Sequence, residues 1–250
     1  MKAKLTLSHR QKRIGVGILL LAGVIAWLFL NPKSYEQEIT PSIPAATPPP
    51  TTPLGVTTES SPLATEILNK LEVKGRAPKT GYTRTEFYNG WPDIDGCSLR
   101  QRIIKREVGD SARLEGCNVD AGDFPEPYTG ESRHYTTKQE FSKNIQIDHI
   151  VALSDAWQKG AQYLPKDIRY QIATDPLNLV AADGSANMQK GDGDAATWLP
   201  PNKSFRCEYV ARQISVKYKY ALWVTEAEKS AMTTVLSSCP AQPTIGLNLE

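Results

Sequence analysis

The feature that most limits what this chain can fold into is "IGVGILLLAGVIAWLFL", Ile14 to Leu30, a run without a charged or strongly polar side chain. A helix with no polar face needs apolar surroundings on every side, and the run is at the short end of what spans a bilayer. Lys2, Lys4, Arg10, Lys12 and Arg13 precede it and Lys33 follows. The positive-inside bias then keeps residues 1–13 as a basic cytosolic tail and sends the rest outward. The sequence thus predicts a single-pass protein of the cell membrane, with a transmembrane signal-anchor over residues 14–30 and an extracytoplasmic C-terminal part. The competing reading is a signal peptide whose cleavage releases a secreted protein. Such peptides usually have a shorter apolar region and a small-x-small cleavage site, which "WLFLNPKS" lacks.

Residues 31–61 are rich in Pro and Thr and poor in large apolar groups. That composition cannot offset chain entropy by burial and predicts an extended, disordered linker. Folding is thereby confined to residues 62–250. Of 29 basic and 27 acidic residues in the chain, six cations and no acid precede residue 34, which leaves 23 against 27 and a net charge of −4 over residues 34–250. The basic balance belongs to the tail. Cys97, Cys117, Cys207 and Cys239 contain no CxxC pair and so no zinc-ribbon spacing; outside the membrane they predict two disulfides. Pairing in sequence order closes the shortest loops, and the other two pairings stay open.

Within the folding part, Ser61 and Pro62 resemble an N-cap and a first helical residue ahead of "LATEILNKL". "CSLRQRIIKREV" places Leu99, Ile103 and Ile104 inward. Thr137 with Glu140 and Thr225 with Glu228 have capping-box spacing, and Val210, Ile214, Tyr218 and Leu222 recur at the interval of a buried helical face. Strand signals are fewer: "IQIDHIV" alternates, and "LNLVAA" is a short apolar run between "DP" and "DG". The fold class is α+β, mainly α, with a small antiparallel β element and no internal repeat.

The two strands carry the chemistry. Asp148 and His149 end the first, Asn178 starts the second, and "SANMQKGDGDAATWLP" follows with Asn187 and Lys190 on a helical turn. Strand, strand, helix can bring a carboxylate, an imidazole and an amide oxygen to one point. Hydrolysis of a phosphodiester needs a base for the attacking water and a cation for the charge on the leaving oxygen. Neutral His149 suits the base, and Asp148 and Asn187 offer hard oxygen ligands for a divalent metal ion, Mg²⁺ first. Lys190 would hold the phosphate or steady the site.

"DHIV", the Asn of "LNLV" and "NMQK" resemble the HNH or ββα-metal nuclease motif, in the variant whose last His is Asn, and in the order found in the HNH domain of RNA-guided CRISPR nucleases. From Tyr82 to Cys239, "CSLR", "PYTG", "DHIVAL", "DPLNLVA", "NMQKGDGDAATWLP" and "CEYVARQISVKYKY" resemble the secreted bacterial HNH family related to the C-terminal domain of GmrSD-type restriction enzymes. The resemblance implies a ββα-metal motif embedded in a helical domain, with His149 as general base, Asp148 and Asn187 as metal ligands, and Asn178 tying down the loop behind the base. Where the family pattern has Pro after "DHIV", this chain has Ala152, a difference that touches loop rigidity and not the catalytic set.

These readings imply a membrane-anchored, outward-facing, metal-dependent endonuclease of low sequence specificity, acting on DNA, with RNA as the second substrate and no obligate protein partner indicated. Two other classes fit the same residues: a tethered nucleic-acid-binding or uptake protein with weak or lost catalysis, and a hydrolase of another extracellular phosphoester. Nucleic-acid binders usually carry a basic footprint, so an acidic folding part must use local patches. Arg100, Arg102, Lys105, Arg106 and Arg113 form one, and Lys203, Arg206, Arg212, Lys217 and Lys219 another; either could equally be a solvated helix face. His9 and His134 are expected in solvent, Trp157 and Trp198 in packing.

Overall fold

The computed structural model describes residues 61–247. The expected cytosolic tail, membrane anchor and all of the linker but Ser61 lie outside the described residues. Among the described residues no helix is long and apolar enough to cross a membrane.

The described residues form an α+β structure with eight α-helices and three small antiparallel sheets. The helices are α1 (Ala64–Lys70), α2 (Leu99–Val108), α3 (Lys138–Asn144), α4 (Leu153–Gln158), α5 (Lys166–Thr174), α6 (Gly184–Lys190), α7 (Arg206–Lys219) and α8 (Glu226–Leu236). Local chemistry explains several starts. Ser98 caps α2 by accepting from Gln101 N–H, and both predicted capping boxes form, at α3 and α8. Each such cap is worth about 1 kcal/mol. α1 starts later than Ser61 and Pro62 predict, because Leu63 is extended and bridges Pro243 while the Pro62 carbonyl accepts from the Thr244 amide at 2.8 Å and its hydroxyl at 3.0 Å. Pairing with the C-terminal segment overrides the local start signal.

Two of the sheets were not expected from the sequence. One is the ribbon β1 (Asp93–Ile94) with β2 (Cys97–Ser98); the other is the three-stranded β3 (Arg113–Glu115), β4 (Asn118–Pro125) and β5 (Ser132–Tyr135). "NVDAGDFP" carries two acids, a Gly and a Pro, so its β signal is weak. It becomes a strand because Val119 and Phe124 pack with Leu99, Ile103 and Ile104 of α2 and Phe141 of α3. Disulfides join Cys97 to Cys117 and Cys207 to Cys239, the sequence-order pairing. The first fastens β2 to the β3–β4 turn, and the second fastens the start of α7 to the residues after α8.

The third sheet pairs β6 (Ile145–His149) with β7 (Leu179–Asp183), in a register that sets Ile145 opposite Asp183 and His149 opposite Leu179. Leu179 and Ala181 join Ile145 and Ile147 in the cluster built on α2 and α3. Val180 and Ala182 face the cluster of α1, α7 and α8. A strand buried on both faces has no reason to alternate, which is why "LVAA" reads as a continuous apolar run. A further buried cluster around Trp157, Ile172 and Val216 packs beneath α4 and α5. The pair β6–β7 is thus clamped between cores, and α6 follows β7 without a break.

Candidate active site

Successive strand side chains point to opposite faces, yet at the end of β6 both Asp148 and His149 line one cleft of about 300 Å³. The His149 ring is 4% exposed, and its Nε2 lies 3.0 Å from the Ala173 carbonyl oxygen. That oxygen can only accept, so Nε2 carries the hydrogen and Nδ1 the lone pair. The ring stacks on Trp91 at 5.9 Å with 14° between planes, and Tyr88 lies 5.8 Å away. Burial pushes its pKa down to about 3; the Ala173 bond opposes this, and the charges of Arg84 and Lys190 add to it. The imidazole is held neutral.

Asp148 is buried on the opposite face. Its carboxylate accepts from the Tyr128 hydroxyl and pairs with Lys190 Nζ at 2.9 Å. Burial, and next the charge of Asp148, keeps that hydroxyl protonated by raising its pKa well above the usual tyrosine value. Lys190 also donates to the His149 carbonyl at 2.8 Å, and its side chain is fully buried. Of the two expectations for Lys190, steadying the site is the one its contacts satisfy; the ammonium has no path to a phosphate.

Asn178 ends a 3₁₀ turn (Pro176–Asn178) just before β7, one residue short of its expected place on the strand. Its Oδ1 accepts from the Val151 amide at 2.8 Å, and its Nδ2 donates to the Ile172 carbonyl at 2.9 Å. The side chain thus ties the segment after His149 to the end of α5, whose Ala173 holds the imidazole. Asn187 projects from α6 into the cleft; its Nδ2 donates to Gln146 Oε1 at 2.8 Å, which leaves Oδ1 without a partner among the described residues. Asp183 caps α6 through Oδ1, accepting from Ser185 and Ala186, while Arg133 grips Oδ2 at 2.6 Å.

The turn after α6 is anchored from below. Gly193 lets the chain pass close to itself, since a Cβ there would lie 2.9 Å from the Lys190 carbonyl oxygen and 3.1 Å from Thr197 Oγ1. Asp194 Oδ2 then meets Lys159 Nζ and Arg76 Nη2, each at 2.7 Å. Lys159 also contacts Asp155 at 2.7 Å and Glu228 at 2.6 Å, and Lys217 lies 3.1 Å from both of those acids. Three cations and three acids so form one network, buried except at partly exposed Arg76.

Sequence reading missed that network, Tyr128 as a partner of Asp148, and the cleft residues Arg84, Ser154 and Asp192. "PYTG" and "GDGDAATW" stood out as motifs but carried no assignable role. Most members of both predicted basic patches are engaged within the protein, while Lys105 and Lys203 are exposed. Arg100 donates to Ile145 O, Arg106 to Pro176 O and Leu179 O, Arg113 to Asp120, and Arg212 to Leu177 O and Leu179 O. Lys217 is buried, and Lys219 pairs with Asp175 at 2.7 Å. His134 is exposed beside Asp123, Trp157 packs in the interior, and Trp198, half-buried, packs against the cluster of α1, α7 and α8, as expected.

Among the described residues no three His, Cys, Asp or Glu side chains are grouped to hold a metal ion. The donors that do share the cleft, the Asp148 carboxylate and the unpaired Asn187 Oδ1, are both hard oxygens. They fit a cation that fills its remaining positions with water and substrate oxygens.

Residues 126–235 match the family described as GmrSD restriction endonucleases, C-terminal domain. A relative from Arthroderma benhamiae, named an uncharacterized secreted protein, is 36% identical over 217 residues, covering 85% of this chain and 99% of the relative. The chain belongs to the GmrSD C-terminal domain family. No solved structure matches. The GmrSD match relates the chain to nucleases, and its span contains β6, β7 and α6 whole. Tyr82 and Arg84, which line the cleft from the N-terminal side, and Tyr88 and Trp91, which pack against the His149 ring, precede the matched GmrSD segment.

Proposed function

We propose that this protein is an HNH-type endonuclease that hydrolyses phosphodiester bonds of DNA, with RNA as a second substrate, using a divalent metal ion, Mg²⁺ first, and little sequence specificity. One observation carries the reading: a buried, neutral His149, oriented through Nε2, shares a cleft with Asp148 and an unpaired Asn187 oxygen. His149 Nδ1 accepts the proton of the attacking water, a role that requires the neutral ring the site enforces. Ala173 and Asn178 fix the ring and the chain behind it, so little reorganisation accompanies proton transfer. Asp148 and Asn187 would hold the cation, which when bound supplies charge neutralisation at the leaving oxygen. Lys190 and Tyr128 hold the Asp148 carboxylate in place.

Two disulfides and a relative named as secreted support action outside the cytoplasm. Within that reading, residues 14–30 anchor the protein to the membrane and residues 31–61 tether the enzymatic part. The test is digestion of supercoiled plasmid by the full-length chain in Mg²⁺, in EDTA, and with His149→Ala. Nicking that requires metal and His149 is expected. Nicking that survives both changes would remove this assignment.

A further inference from the structure

The catalytic cleft is lined by two acids, Asp148 and Asp192, and a phosphodiester entering it adds a further negative charge. A cation has to face that phosphate. Lys190 is buried and committed to Asp148 and the His149 carbonyl, and Lys79 is paired with Asp192 at 2.9 Å. Among the described residues that line the cleft, Arg84 alone is an Arg or Lys.

Arg84 opens a single 3₁₀ turn (Arg84–Glu86) and is exposed. Its Nε donates to Tyr88 Oη at 3.0 Å, Nη2 contacts the same oxygen, and the guanidinium lies 5.1 Å over the Tyr88 ring. Tyr88 is itself buried, with its ring 5.8 Å from that of His149. One edge of the guanidinium is therefore fixed to the wall that carries the imidazole. Nη1 has no partner among the described residues. A planar, permanently charged fork held on one edge and open on the other suits a phosphate oxygen pair.

We propose that Arg84 binds the substrate phosphate beside His149, with Tyr88 as its positioning residue; this rests on the nuclease reading of the same cleft. Arg84 thereby takes the role that sequence spacing would give to Lys190.

Two readouts on the full-length chain separate this from the parent reading. Binding of a fluorescein-labelled DNA duplex is followed by anisotropy in EDTA across a salt series, and cleavage of the same duplex is followed in Mg²⁺. Arg84→Gln should weaken binding and make the slope of log affinity against log salt shallower by about one unit, as loss of one phosphate contact does. Arg84→Lys should restore the slope but, lacking the fork, only part of the cleavage rate; Tyr88→Phe should lower kcat while leaving the salt slope in place. An Arg84→Gln chain with wild-type affinity, slope and cleavage would overturn the proposal. If the wild-type chain binds without cleaving, the endonuclease reading falls while the binding arm still decides Arg84. If it does neither, both fall.

Discussion

Two groups of buried charges lie a few residues apart along the chain, and they are built to opposite ends. In the network of Arg76, Lys159 and Lys217 with Asp155, Asp194 and Glu228, cations and acids balance and every one has an oppositely charged neighbour within 3.1 Å. At the cleft, Lys190 and Asp148 also pair, but beside them His149 Nδ1 and Asn187 Oδ1 are left with no partner among the described residues. Charge satisfied on all sides holds elements together; a lone pair left over at the wall of a cleft can do chemistry. The network joins α4, α7, α8 and the turn after α6, so the first group supports the second.

Breaking each group in turn gives the largest expected differences. Lys159→Ala leaves three buried acids facing buried Lys217 and partly exposed Arg76, and removing one member of a buried ion pair typically costs about 3–5 kcal/mol. Chemical denaturation should show that loss, while the molecules still folded cleave at the wild-type rate per mole. Unchanged stability with abolished cleavage would reverse the roles assigned to the two groups. His149→Ala should do the opposite, lowering the cleavage rate by roughly 10²-fold or more with the denaturation midpoint nearly kept. Asp148→Ala and Asn187→Ala should raise the metal concentration needed for half-maximal cleavage, since each removes one hard oxygen. Equal metal dependence in wild type and both variants would strike them from the ligand set.

The same contrast explains what could be read from the sequence. The cleft residues sit at strand ends and on one helical turn, so "DHIV", "LNLV" and "NMQK" carry their spacing in plain view, and their positions as a group were legible. The capping boxes were legible for the same local reason, and so was the α7 periodicity through Val210, Ile214 and half-buried Tyr218, although Leu222 lies beyond the helix end. The ion network was not, because Lys159 follows α4 while Lys217 and Glu228 lie on α7 and α8, and nothing local marks a Lys that will be buried. The three-stranded sheet was missed likewise: β4 is held by contacts with α2 and α3, not by β propensity. The basic runs misled because an Arg that will reach a distant carbonyl looks, in sequence, like one that faces solvent.

Acid sharpens the comparison next. Burial alone would raise the Asp194 pKa, but Lys159 and Arg76 more than offset it and bring it down to about 2. A carboxyl depressed in the folded state contributes stability that is fully present above its ordinary value near 3.8 and is lost as pH falls toward about 2. Stability should therefore decline with acid through that window, and Asp194→Asn, less stable at neutral pH, should decline less steeply there. Parallel curves for the two proteins between pH 4 and pH 2 would show that Asp194 is not a source of the acid sensitivity.

The smallest effect lies at the join between the two groups. Residues 150–152 lead from His149 into α4, which carries Asp155, and here the family pattern has Pro where this chain has Ala152. Ala152 sits at φ −55° and ψ 138°, within the range proline imposes, and its amide donates to no backbone acceptor among the described residues. Proline would then remove freedom from the unfolded chain without costing a native bond. Ala152→Pro should stabilise by about 0.4–1 kcal/mol, since Asn178 already pins the preceding residue through the Val151 amide. A loss of stability would mean that Val151 cannot adopt the extended backbone that proline demands of its predecessor. The join would then be held by the conformation of "HIVA" itself, and the two charged groups would be less independent than their contacts make them.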